Sequence, residues 1–150
     1  MSFRRNFMSG LRIILNKKVT PGVPAIIRNP NGEILLGKRK ISSILYPGYW
    51  GLPGGLIEYG ETVEQAIKRE LKEEIGVDAE IIKYGKRPIM DLPTKDSPFQ
   101  DLSVPVYCKI KGIPKPLDET SEVRWFTPGE IKKMKLAYSH KKILEDEGLI

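Results

Sequence analysis

Apolar and polar positions follow two periods along this chain, and the change of period marks its elements. Residues 23–27 form a short apolar run, which predicts a buried strand. Asn29-Pro30-Asn31-Gly32 follows as a turn, its Asn-Gly pair favouring a tight hairpin, and residues 33–38 return as a second strand. Residues 41–48 read as a loop. A short strand at 50–52 leads into Pro53-Gly54-Gly55. The period then becomes helical: Val63, Ala66, Ile67, Leu71 and Ile75 recur on one face. Thr62 and Gln65 fit a capping box, and Gly76 suits the left-handed residue past a helix end, so a helix is predicted over 62–75. Further strands are predicted at 80–84, 102–110 and 123–126. A second helix covers 128–133, with Thr127 as cap and Pro128 in the first turn, and a last one about 137–147. Strands on both sides of one central helix, with helices at the carboxyl end, give an α/β sandwich.

Composition narrows the class. The 150 residues are 40% hydrophobic and 29% charged, the profile of one ordinary globular domain. No apolar run approaches the roughly 20 residues of a membrane span. No secretory cleavage pattern follows the amino-terminal apolar positions, which Arg12 interrupts, and a cytoplasmic protein is expected. The single cysteine, Cys108, excludes an intrachain disulfide and a multi-cysteine zinc site, and reads as a buried strand residue. His140 is the sole histidine and is expected to be solvated near the last helix.

The net charge of +6 has a location. Residues 1–32 contain Arg4, Arg5, Arg12, Lys17, Lys18 and Arg28 and no acid, so they carry all of it. Residues 1–21 are read as a basic arm preceding a domain at 22–150. Phe3, Phe7, Leu11, Ile14 and Leu15 have loose helical spacing, so the arm is expected to pack on the domain or a partner. It also suits an anionic surface or nucleic acid, or the make-up of an organellar transit segment.

The chemistry concentrates after the glycines. Glu70, Glu73 and Glu74 stand at i, i+3 and i+4, neighbours on a helix surface, where like charges repel. As a bare pattern this is a solvated acidic face relieved by Lys68, Arg69 and Lys72. Beside a glycine loop whose backbone can approach a ligand, three carboxylates and a carbonyl make an all-oxygen site suited to magnesium or manganese.

Residues 55–77 fit the spacing G-x5-E-x7-R-E-U-x-E-E-x-G-U, with U aliphatic, at every position: Gly55, Glu61, Arg69, Glu70, Leu71, Glu73, Glu74, Gly76 and Val77. This resembles the Nudix box, and the chain is similar to Nudix hydrolases. The resemblance implies an α/β/α sandwich with a mixed sheet and a catalytic loop-helix-loop. It implies Glu70, Glu73 and Glu74 as holders of Mg2+ or Mn2+, with the Gly54 carbonyl as a further ligand. Glu61 and Arg69 resemble the family's internal ion pair, which orients the carboxylates. Glu70, then Glu73, is the box candidate for general base. Outside the box, Asp118 to Phe126 resembles the acidic turn before a Trp-Phe strand, with Glu119 as an additional ligand or base and Glu122 second.

For substrate, Arg39 resembles the arginine that faces phosphate or base, Gly55 approaches the ligand by its backbone, and Tyr49 is a candidate for stacking on a base. Alternation forbids both Lys38 and Arg39 from entering one cleft, so Lys38 is expected in solvent. The implied reaction is hydrolysis of the pyrophosphate linkage in a nucleoside diphosphate derivative. The combination looks most like MutT-type nucleoside triphosphate pyrophosphatases giving monophosphate and pyrophosphate. ADP-ribose or nucleotide-sugar hydrolysis is the alternative, and removal of pyrophosphate from RNA 5′ ends through the basic arm a further one. Many relatives are homodimers, and the arm could bridge two subunits.

Overall fold

The computed structural model describes residues 18–95 and 97–150. The arm's residues 1–17 lie outside the described residues, and the expectations placed on them are not addressed below.

Among the described residues, nine strands and three helices follow in the order β1 (Val19–Ile26), β2 (Ile34–Arg39), β3 (Trp50–Gly51), β4 (Gly54–Leu56), α1 (Val63–Ile75), β5 (Asp78–Tyr84), β6 (Ile89–Asp91), β7 (Gln100–Ser103), β8 (Val106–Lys111), β9 (Thr120–Phe126), α2 (Pro128–Lys132) and α3 (His140–Asp146). The hub is β1, which pairs antiparallel with β4 and parallel with β7 and β8. Antiparallel β5 flanks β8 and β6 flanks β7, so the sheet is mixed. A smaller sheet sets β2 between β3 and β9, antiparallel to both.

Alternation along β1 and β2 supplies both sides of a sandwich. Val23, Ala25, Ile27 and Leu35 pack with Ala66, Ile67, Leu71 and Ile75 of α1. Ile26, Ile34 and Leu36 point the other way, into a cluster with Phe126, Ile131, Ile143 and Leu144 that seats α2 and α3. The chain is thus an α/β/α fold around a mixed sheet.

The helix is set locally. Thr62 Oγ1 accepts from Gln65 N–H at 3.2 Å while Gln65 Oε1 accepts from Thr62 N–H at 2.9 Å. Gly76 closes the helix in the left-handed region at φ 70°. Thr127 and Glu130 repeat the capping box at α2. Cys108 is buried in β8.

Several boundaries differ from the sequence reading. The first strand begins at Val19 rather than 23, because Val19–Gly22 pairs with Gln100–Ser103. The single strand expected at 102–110 is broken at Val104-Pro105, where proline offers no N–H to a ladder. Val19↔Gln100 and Ala25↔Val106 keep the same offset, so β7 and β8 are two halves of one run along β1. Strands β4 and β6, three residues each, were not anticipated.

Candidate active site

The glycine segment is strand rather than free loop. Gly54 and Gly55 pair with Pro24 and Val23 of β1, and the Pro53 carbonyl accepts from Ala25 N–H at 2.7 Å. Both glycines are required by close approach. Gly54 sits at φ 136°, and a Cβ there would stand 2.1 Å from the Val23 carbonyl oxygen. A Cβ on Gly55 would stand 2.3 Å from the Glu70 carboxyl carbon. The sheet therefore presents bare backbone to Glu70, the first of the three clustered carboxylates of α1.

That backbone also grips the last of the three. Gly54 N–H donates to Glu74 Oε2 at 3.0 Å. Burial pushes the Glu74 carboxyl up to about 8; the Gly54 N–H works against the shift and the negative charge of Glu70 adds to it. Glu70 is raised as well, by burial first and with Glu73 and Glu58 adding to it, while Arg69 opposes. Its side chain is only 15% exposed, whereas Glu73 is 52% exposed at the rim.

Arg69 ties this group together. Its Nε donates to Glu61 Oε1 at 2.6 Å and its Nη2 to Glu61 Oε2 at 2.9 Å, a bidentate pair. Nη2 also reaches the Leu56 carbonyl at 3.0 Å, and Nη1 reaches Glu70 at 2.7 Å and Glu73 at 3.4 Å. The Arg69 hydrogen bonds, with the Glu58 N–H, hold the Glu61 carboxyl down at about 2, and Glu61 in turn raises the Arg69 guanidinium.

These groups open onto a cavity of about 510 Å³ lined by Gly54, Gly55, Arg69, Glu70, Glu73 and Glu74 on one side. Lys38, Arg39, Asp118 and Glu119 line it as well. Arg39 is fixed by its Nε–H to the Leu45 carbonyl at 2.7 Å, lies 3.8 Å from Glu119, and stands 5.6 Å from the Tyr138 ring centroid. Among the described residues, no three acidic, histidine or cysteine side chains are gathered into a ready-made metal cluster. Arg69 engages Glu70 and Glu73, while Glu74 turns to Gly54 N–H. The donor set nevertheless fits a hard divalent cation. It is all oxygen, and the two raised carboxylates are those that a cation would relieve.

A family profile described as the NUDIX domain matches residues 18–146. The chain belongs to the Nudix hydrolase family. It is 35% identical over 125 residues to an ADP-ribose pyrophosphatase of Methanocaldococcus jannaschii, covering 83% of this chain and 70% of that protein. It is 40% identical over 81 residues to an 8-oxo-dGTP diphosphatase of Haemophilus influenzae, covering 54% of this chain and 59% of that one. The crystal structure of a MutT Nudix hydrolase from Burkholderia pseudomallei superposes with a TM-score of 0.75 at 26% identity, over 87% of this chain and 98% of that chain.

Within this Nudix fold the sequence expectations distribute unevenly. Arg69, Glu61, Glu70, Glu73, Glu74, Gly54 and Gly55 are brought together, and Arg39 and Glu119 join them across the cavity. Glu122 instead faces Lys38 at 3.9 Å and is not a lining residue. Tyr49 is not a lining residue either; its ring packs edge-on against Tyr46.

As alternation requires, Lys38 sends its ammonium to Glu122 and the Trp50 ring, its side chain 39% exposed, while Arg39 faces the cavity. One expectation is corrected. His140 is buried rather than solvated: its Nδ1 accepts from Leu52 N–H at 3.0 Å, and burial, with the Arg39 charge adding to it, pushes it down to about 3. Lining residues that went unnoticed include Thr20, Asp101, Ser103 and Tyr138. Tyr138 carries the one sequence-visible hint, an aromatic residue beside the lone histidine; its backbone lies at φ 52°, a strained region for tyrosine.

No helix among the described residues is long and apolar enough to cross a membrane.

Proposed function

We propose that this Nudix hydrolase cleaves the pyrophosphate linkage of a nucleoside diphosphate derivative. The leading substrate is a nucleoside triphosphate, split into monophosphate and pyrophosphate. One observation carries the reading: the recessed carboxylates of Glu70 and Glu74 share a cavity with the Arg39 guanidinium. Such a cavity combines cation-seeking oxygens with a fixed donor for phosphate.

Glu70, Glu73, Glu74 and the Gly54 carbonyl would hold Mg2+ or Mn2+, with Glu119 as a further ligand. The chemistry such an ion supplies when bound is neutralisation of phosphate charge and a lower pKa for water. Arg69, locked to Glu61, orients the Glu70 carboxylate. Glu70 takes the proton of the attacking water, with Glu73 second and Glu119 the candidate from outside the box. Arg39 holds phosphate oxygens in a fork that Leu45 prevents from swinging. The Gly55 backbone lies alongside the reacting phosphates, where a side chain would collide with Glu70.

A second reading, ADP-ribose or nucleotide-sugar hydrolysis, is favoured by the similarity to the Methanocaldococcus ADP-ribose pyrophosphatase over 83% of this chain. The RNA reading rests on the basic arm and predicts a steep loss of activity with salt.

The test is product analysis on triphosphates, ADP-ribose, nucleotide sugars and triphosphorylated RNA, with Mg2+ or Mn2+ and with chelator. Metal-dependent release of pyrophosphate and monophosphate is expected. Monophosphate plus sugar phosphate from ADP-ribose alone moves the assignment to the second reading. Turnover that survives chelator refutes the cation site.

A further inference from the structure

One part of the cavity is built from sheet residues with no role in the chemistry above. Alternate residues of a strand share a face, and Thr20, Gly22 and Pro24 of β1 line the cavity with Asp101 and Ser103 of β7. The path from the carboxylates is continuous. Gly55 abuts Glu70, and a Cβ on Gly22 would stand 3.8 Å from the Gly55 carbonyl and 3.9 Å from Ser103 Oγ. The Thr20–Asp101 row lies one strand repeat further, about 7 Å along.

At that row the Thr20 hydroxyl reaches both Asp101 Oδ1 and the Gln100 carbonyl, donating to one at a time. A carboxylate offers about four acceptor positions, so Asp101 keeps most of its capacity for a ligand. Asp91 stands directly opposite Asp101 across the β6–β7 ladder, which adds negative charge at this end. Phe99, half exposed, and Tyr138 supply aromatic walls, and the Tyr138 ring stands beside the Arg39 guanidinium. Phosphate is therefore repelled from Asp101 and drawn to Arg39, which fixes the direction in which an elongated substrate lies.

Resting on the pyrophosphatase reading, we propose that Asp101, oriented by Thr20, is the specificity-determining acceptor for the non-phosphate end of the substrate, selecting a moiety that presents two adjacent hydrogen-bond donors. Two groups at the non-phosphate end of such substrates present the pair: the N1–H and amino edge of a guanine-type base, and the vicinal diol of a terminal ribose. Each is rejected when one donor is missing, because the half-buried Asp101 carboxylate, covered by the bound substrate, is then left with an unpaired acceptor.

The experiment compares matched pairs: GTP with ITP, and ADP-ribose with its 2″-deoxy analogue. The kcat/KM ratio within each pair is measured for wild type, Asp101→Asn and Thr20→Val. Binding of GMP, IMP and both ADP-riboses is measured by calorimetry in chelator. In one pair, wild type is expected to favour the two-donor member by about tenfold or more. Asp101→Asn should erase most of that ratio through KM, and Thr20→Val part of it. The pair that responds names the source of the donors. If Asp101→Asn fails to fold, Thr20→Val carries the decision. A ratio near one in wild type for both pairs, or a ratio unmoved in the folded variants, overturns the proposal. Selective binding that depends on Asp101 in a protein that hydrolyses nothing refutes the pyrophosphatase reading and leaves the role of Asp101 standing.

Discussion

Replacing His140 by asparagine should remove a pH-dependent part of the stability while keeping the hydrogen bond, since an amide oxygen can take the Leu52 N–H that Nδ1 now accepts. The folded protein holds His140 neutral down to about 3, whereas an unfolded histidine titrates near 6.5. The unfolded chain therefore binds the proton first as pH falls. The contribution is complete above about 6.5 and is lost progressively down to about 3. Between about pH 7.5 and 5 the loss amounts to about 2 kcal/mol, taking about 1.4 kcal/mol per pH unit below the unfolded value. Glu74 acts in the opposite sense. Its folded pKa, raised to about 8 from 4.5, makes the folded state take up the proton first, so stability rises as pH falls between those values. The two slopes offset each other in wild type, and only the difference between wild type and His140→Asn isolates the histidine. Urea unfolding followed by tryptophan fluorescence, in chelator, supplies that difference at each pH. It should shrink by about 2 kcal/mol from pH 7.5 to 5. A difference constant to within about 0.5 kcal/mol over that range refutes the buried neutral histidine.

Three further outcomes are expected. Glu73→Gln removes a charge at nearly constant shape, and should cut kcat by about a hundredfold with an unchanged circular dichroism spectrum; near-normal turnover with Mg2+ sinks the proposed ligand set. Gly55→Ala forces the Glu70 carboxylate off its contact and should cost about a hundredfold in turnover, since small misplacements of reacting groups are that expensive; wild-type rates would show that Glu70 need not sit there. Thr62→Ala breaks the capping box and should cost about 1 kcal/mol in urea unfolding, with activity retained; no change in midpoint contradicts the cap.

What the sequence disclosed followed the range of the forces involved. Helix α1 was legible because its cap, its apolar face and its closing glycine all lie within fifteen residues of one another. The Glu61–Arg69 contact was reached through the motif, and eight positions separate its partners. Strand β4 was hidden because its pairing uses glycine backbone, which has no hydropathic signature. His140 was misread because its partner, the Leu52 amide, is 88 positions away, and no local pattern marks an amide that needs an acceptor. The opposite directions of Lys38 and Arg39 were legible from alternation along β2, whereas the extra residue of the bulge, Ser121 in β9, depends on how β9 meets β2 and leaves no local mark. Thr20 and Asp101 carry no local signal, since one falls in the basic segment 1–21 and the other just before the strand predicted at 102–110, and only the β1–β7 pairing joins them.

The hydrogen bond from the Gly54 amide to Glu74 has a spectroscopic consequence. It ties one backbone proton, in a sheet-bound glycine, to the charge state of the most perturbed carboxylate in the cavity. Glycine amides resonate in a sparse region of a nitrogen–proton correlation spectrum. Protonation of that carboxylate, or its withdrawal toward a cation, weakens the acceptor and moves this signal upfield. The enzyme thus carries an internal indicator of its own readiness, legible without substrate, product or turnover.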